Sequence, residues 1–214
     1  HALADRGEVE LLAVTFNEVH KSGAAAIDAI NTWYKRGNIP VGVYKKPLGR
    51  PDSSRYLDSV AKFPHDLTQK TAPTALEVYK RVLARQPDHS VTIISVGFLN
   101  NLHDLLKDSP KLVARKVAEL VVMGGLVNDN FNLVRHSLVN QSEYVIRNWP
   151  GKLTISQFGH KTHTGAALKG TPKTNPVRDA YFRWFKQSFK GRSSWDQVAV
   201  LYGVRGLNLY FKEN

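Results

Sequence analysis

Three groups of polar side chains stand where chemistry could be done. Asn100 and Asn101 follow Gly97-Phe98-Leu99. Asn128, Asn130 and Asn132 share the short stretch LVNDNFN, soon after Met123-Gly124-Gly125. Asp196 follows Ser193-Ser194-Trp195, where the last helical pattern begins. A side-chain amide both donates and accepts hydrogen bonds, and a carboxylate oxygen suits a hard cation. Each group also has a plainer use. Asparagines cap helices and form turns, and an acid in a first helical turn complements the helix dipole. His136, His160 and His163 have no acidic neighbours at metal-ligand spacing and read as surface or loop residues. With no cysteine in the chain, disulfides, thiolate metal sites and cysteine nucleophiles are excluded.

The elements that must position these groups are legible around them. Residues 91–96, VTIISV, form a β-branched apolar run that suits a strand buried on both faces. Gly97 ends it, and a helix runs to about Lys107. LVVM at 120–123 repeats the plan, ending in Gly124-Gly125. Two buried strands with a helix between them make a parallel βαβ unit. Ligands in open α/β sheets sit beyond the carboxyl ends of such strands. Asn100, Asn101 and the residues after Gly125 are therefore expected to face a pocket.

Upstream, residues 8–15 read as a strand and 24–35 as a helix with an apolar stripe through Ala26, Ile27, Ile30, Trp33 and Tyr34. Residues 39–43 read as another strand, with Pro40 near its start. The stretch 45–70 carries Pro47, Pro51 and Pro64 without clear periodicity and reads as a long loop, a candidate lid. A helix is expected over 71–85, with Thr71 as cap and Pro73 in its first turn. Downstream come a helix at 138–148, a strand at 153–156 and a basic loop at 159–174. An aromatic helix comes next at 177–189, and a last helix begins at Trp195. The aromatic helix and Met123 read as core. Strands alternating with helices, with no linker or repeat, predict one α/β domain over 1–214.

Formal net charge is +12 and the pI about 9.9. The excess is uneven: residues 1–107 hold 14 basic and 11 acidic side chains, whereas 108–214 hold 16 and 7. Between Arg147 and Arg192 ten basic residues face one acid, Asp179. Such a tract could attract RNA or another polyanion, or simply be a solvated basic face; no RNA- or DNA-binding motif accompanies it. No apolar run approaches the ~20 residues of a membrane span, and no signal peptide is visible.

The ordered set GFLNNL, LVVMGG, NFN and SSWDQVAVLYGVRG resembles the inosine–uridine-preferring nucleoside hydrolases and their relatives. HALADRGEVELLAVT is similar to the segment just after that family's first helix, and AIDAINTWYKRGNIPVGVY to its second helix and third strand. The resemblance implies an open, mostly parallel sheet with helices on both faces. It also implies Ca²⁺ at the strand ends and hydrolysis of the N-glycosidic bond of ribonucleosides through an oxocarbenium-like transition state. Carried onto this chain, it makes Asn100 (by its carbonyl) and Asp196 calcium ligands. It places Met123 against the sugar and makes Asn132 and Asn128 ribose contacts. Asn130 stands for a glutamate, and Asn17 is the nearest candidate for an asparagine expected after the second strand.

The departures are as informative. The family's aspartate cluster, which supplies the catalytic base and most of the calcium charge, is absent and is expected upstream of His1. His1–Gly7 reads as the tail of a helix, so the chain is expected to lack a first strand. Position 136 is histidine where an acid is usual, and Trp195 stands where some relatives carry histidine. The expected partner is a nucleoside or other ribosyl small molecule, with homo-oligomers common among relatives. The alternative is a relative without catalysis that binds a ligand or polyanion.

Overall fold

The apolar run after Pro110 builds the centre of the molecule. In the computed structural model, which describes residues 1–50, 53–125, 131–207 and 210–211, β4 (Val117–Met123) lies between β3 (Val91–Ser95) and β5 (Lys152–Ser156), parallel to both. Leu120, Val121 and Val122 are completely buried, as a strand covered on both faces requires. Leu120 and Val122 enter a cluster with Leu83, Leu99, Leu102, Leu105, Val113 and Val145. Those side chains come from α4 (Ala75–Ala84), α5 (Asn100–Asp108) and its lead-in, α6 (Pro110–Lys116) and α7 (Val139–Asn148). Val121 faces the other way, against Ala199 and Tyr202 of α9 (Trp195–Arg205). The protein is thus α/β, with parallel strands flanked by helices on both faces.

A second parallel pair, β1 (Val14–Phe16) and β2 (Val41–Val43), precedes this sheet. Among the described residues no ladder joins β1 to β3. Side-chain amides form the seam instead. Asn101 Nδ2 donates to the Phe16 carbonyl at 3.2 Å, Asn100 Nδ2 to that of Asn17 at 2.9 Å, and Asn17 Nδ2 to that of Phe98 at 2.8 Å. After β1, α2 (Gly23–Trp33) carries the buried Asp28, whose carboxylate accepts from the backbone N–H of Asp66 (2.7 Å) and of Leu67 (3.0 Å). That anchor holds the 45–70 segment against α2. The segment is not wholly irregular, since it contains the short α3 (Leu57–Val60).

Several boundaries differ from expectation, each for a local reason. The strand expected over 8–15 pairs only from Val14, because its partner begins after Pro40, which has a carbonyl for Val14 N–H (3.0 Å) but no N–H of its own. The helix expected from Thr71 starts at Ala75. Thr74 is the cap, and Glu77 reaches back to the Thr74 N–H at 2.8 Å, a reciprocal capping box. Thr71 instead accepts from the Thr68 N–H. Helix α6, not expected, starts on Pro110, whose missing N–H costs nothing in a first turn.

The aromatic helix, α8 (Pro176–Trp184), stops short of Phe189 because Lys186 and Gln187 take left-handed backbone angles. The basic loop holds β6 (His163–Thr164), antiparallel to β7 (Arg192–Ser193). Among the described residues no helix is long and apolar enough to cross a membrane.

Candidate functional site

A cavity of about 760 Å³ opens beyond the carboxyl ends of the central strands. Its floor is formed by residues at the strand ends and just past them: Val96 after β3, Met123 and Gly124 at the end of β4, Ser156 and Gln157 at the end of β5. This is where the strand-end rule places a ligand. One wall is α8, through Val177, Ala180, Tyr181 and Trp184. The opposite wall runs from Arg192 and Ser193 of β7 into Trp195, Asp196 and Gln197 of α9. Tyr56, from the 45–70 segment, and Phe131 complete it. The candidate lid therefore contributes an aromatic ring to the wall.

Local geometry fixes the α9 side. Ser194 precedes α9 but does not cap it; its hydroxyl is shared with the Thr164 hydroxyl at 2.7 Å. The Ser194 N–H donates to the carbonyls of Gly159 and Thr162, both at 2.9 Å. Gly159 has φ +124° and passes so close that a Cβ there would lie 2.6 Å from Trp195 N. Only glycine fits. The β6–β7 hairpin thus holds the first turn of α9 against the cavity.

Within that turn, desolvation by the cavity wall raises the pKa of the Asp196 carboxyl although the residue itself is exposed, and the positive charge of Arg192 opposes the shift. Burial likewise raises the Tyr56 phenol, with Arg192 lowering it and Asp196 raising it further. The Arg192 guanidinium lies 4.1 Å from the centre of the Trp184 ring and 5.7 Å from that of Trp195. Arg55 approaches the same Trp184 ring at 5.3 Å.

Three of the residues singled out from sequence meet here: Met123, Asn132 and Asp196 all line the cavity. Asn132 is buried, and its Nδ2 donates to the Met123 carbonyl at 3.0 Å, fixing the end of β4. Asn17 and Asn100 lie off the cavity wall, in the β1–β3 seam, and so does Asn101. Asn128 and Asn130 fall outside the described residues. His160 and His163 are exposed, as expected. The side chain of His136 is not on the surface: it is nearly buried, 3.8 Å from Glu18 and edge-on to Phe98.

The residues that sequence reading missed are Tyr56, Tyr181, Trp184 and Arg192. Trp184, Arg192 and Trp195 sit in α8, β7 and α9, so no single periodicity links them.

Calcium, which the family resemblance implies, takes six to eight oxygens. Asp196 is the one carboxylate on the described wall, and Arg192 bears on it. Among the described residues no three carboxylate or histidine groups converge. Those residues do not by themselves fit a calcium ion.

No family model matches the sequence, and no curated protein matches it. Solved structures do match the fold. An inosine–guanosine nucleoside hydrolase superposes with a TM-score of 0.70 at 17% identity, over 95% of this chain and 73% of its own. A purine-preferring ribonucleoside hydrolase from Gardnerella vaginalis gives 0.66 at 14% identity, over 92% and 72%. A type III effector protein complexed with adenosine diphosphate ribose gives 0.68 at 15% identity, over 95% and 75%. These likenesses establish a nucleoside-hydrolase-like fold.

Proposed function

We propose that the protein binds a ribonucleoside-like molecule in the strand-end cavity and hydrolyses its N-glycosidic bond. The observation that carries this reading is the convergence of Met123, Asn132 and Asp196 with a set of aromatic rings at one strand-end cavity. The neighbours in fold include nucleoside hydrolases, and an effector protein of similar fold is complexed with adenosine diphosphate ribose, which supports the reading.

The wall supplies the chemistry. Tyr181, Trp184 and Trp195 offer faces and edges against which a planar base stacks. Hydrolysis breaks the bond between the anomeric carbon and the base nitrogen while water adds to that carbon. The leaving nitrogen needs a proton. Asp196 is exposed to the cavity but desolvated by its wall, so it keeps its proton to higher pH than an ordinary carboxyl and can act as the general acid. Asn132 and the Met123 carbonyl it holds border the sugar side. Calcium enters this reading only through ligands beyond those described, so no step is assigned to it.

The test is release of free base from inosine, guanosine, adenosine and uridine, monitored by chromatography, with added Ca²⁺ and with chelator. Base release is expected, and Asp196→Asn should lower it by about a hundredfold or more. Absence of release from all four and from their 5′-monophosphates, with or without Ca²⁺, would overturn the hydrolase reading. Calcium participation predicts loss of activity with chelator and recovery on adding the ion.

A further inference from the structure

We infer that the cavity selects a phosphorylated ligand, a nucleoside monophosphate rather than a free nucleoside, and that Arg192 reads the phosphate. This rests on the proposed function for the ribosyl part, but the anion preference stands on observations of its own. Arg192 lines the cavity, yet its side chain forms no hydrogen bond and no ion pair among the described residues. Of the other arginines in the basic tract, Arg147 pairs with Glu143 at 2.7 Å and Arg183 with Asp179 at 3.3 Å, while Arg178 lies over the Phe189 ring, away from the cavity lining.

Arg192 is nevertheless held in place. Its Cζ lies 4.1 Å from the centre of the Trp184 ring, with Trp195 also near, and these cation–π contacts hold the guanidinium at the wall. The N–H groups at its edge are left for a ligand. A guanidinium fixed in this way presents a planar fork that matches a phosphate. The remaining charge around the opening agrees. Arg55 adds a second cation against Trp184, and Asp196 is the only acid on the described wall. A free nucleoside is neutral and would leave the fork unused. At about 760 Å³ the cavity also has room beyond a base and one sugar.

The competing role is that Arg192 merely balances the charge of Asp196. The two roles separate on one measurement: the ratio of affinities for adenosine 5′-monophosphate and adenosine, by calorimetry at fixed salt. The parent protein should favour the monophosphate by about tenfold to a hundredfold, the range for hydrogen bonds to a charged group. Arg192→Gln should bring the ratio near one, and Arg192→Lys should leave it in between. Lys190→Gln removes an exposed charge two residues away and should leave the ratio unchanged, which controls for general attraction. Thermal melts of each variant report folding.

Equal affinities in the parent protein, or a preference that survives Arg192→Gln, would overturn the inference. Inorganic pyrophosphate, tested in parallel, separates this inference from the reading it rests on. Binding of pyrophosphate lost in Arg192→Gln, with no nucleoside bound, keeps the anion site and removes the ribosyl ligand. Binding of adenosine without any phosphate preference does the reverse.

Discussion

The two faces of β4 differ in what they bury. On one face Leu120 and Val122 meet leucine and valine side chains from α4, α5, α6 and α7. On the other, Glu119, Val121 and Met123 face α9, where Val121 finds Ala199 and Tyr202. A polar group sits within that second contact: Glu119 Oε1 accepts from the Thr154 hydroxyl at 2.6 Å and the Tyr202 hydroxyl at 3.1 Å, and lies 3.2 Å from Lys152 Nζ. Beyond Met123 the packing gives way to the cavity. One strand of period two therefore serves two ends. From Glu119 onward its even residues supply dry area, and its odd residues seat a helix whose first turn carries Asp196. Stability and chemistry are divided by the pleat.

The largest test of this division is Leu120→Ala. Truncating a completely buried leucine should cost about 2–5 kcal/mol in urea unfolding. Trp184→Ala, on the half-buried cavity wall, should cost less stability but abolish most ligand affinity. If Trp184→Ala proved the more destabilising of the two, the division would collapse. Next is Gly159→Ala, where a Cβ meets the Trp195 backbone and φ is positive. A cost of about 1–3 kcal/mol is expected, together with weakened ligand binding, because the first turn of α9 must shift. Unchanged binding there would mean that the hairpin does not position α9.

Thr74→Ala removes a cap remote from both sites and should cost about 1 kcal/mol while leaving ligand affinity intact. The smallest effect is a pH dependence. Desolvation at the cavity wall raises the Asp196 pKa in the folded state above that of the unfolded chain, an effect kept small because the residue is exposed. Its contribution to stability is then present below the unfolded pKa and lost as pH rises through the folded one. Asp196→Asn should accordingly melt above the parent at neutral pH, with the gap closing as the pH is lowered into the carboxylate range. A gap that widens toward acid would reverse the assignment.

Much of the scaffold was legible because its signals are local. β3 and β4 announced themselves as β-branched or valine-rich runs closed by glycine, and α7 and α9 kept their expected starts to within a residue. The capping box Thr74–Glu77 was equally local, but Thr71 beside the same proline offered a rival. What could not be read lay between elements. The stripe of aromatics in α8 predicts burial whether its neighbour is a sheet or an empty space, so Trp184 and Tyr181 passed for core. Arg192 gained meaning only when an antiparallel pair brought it back beside Trp184 and Trp195. The acid at 196 was legible as a helix-start residue; its place on a cavity wall beside Arg192 was not.

The amide seam between β1 and β3 has a chemical consequence. Asn17, Asn100 and Asn101 each point an NH₂ group at a backbone carbonyl. Loss of ammonia from any one of them, the ordinary ageing reaction of asparagine, would turn a donor into a carboxylate facing a carbonyl oxygen. Burial and the helix shield the amides of Asn100 and Asn101 from that reaction, so the union of the two strand groups is exposed to covalent wear only once it has opened.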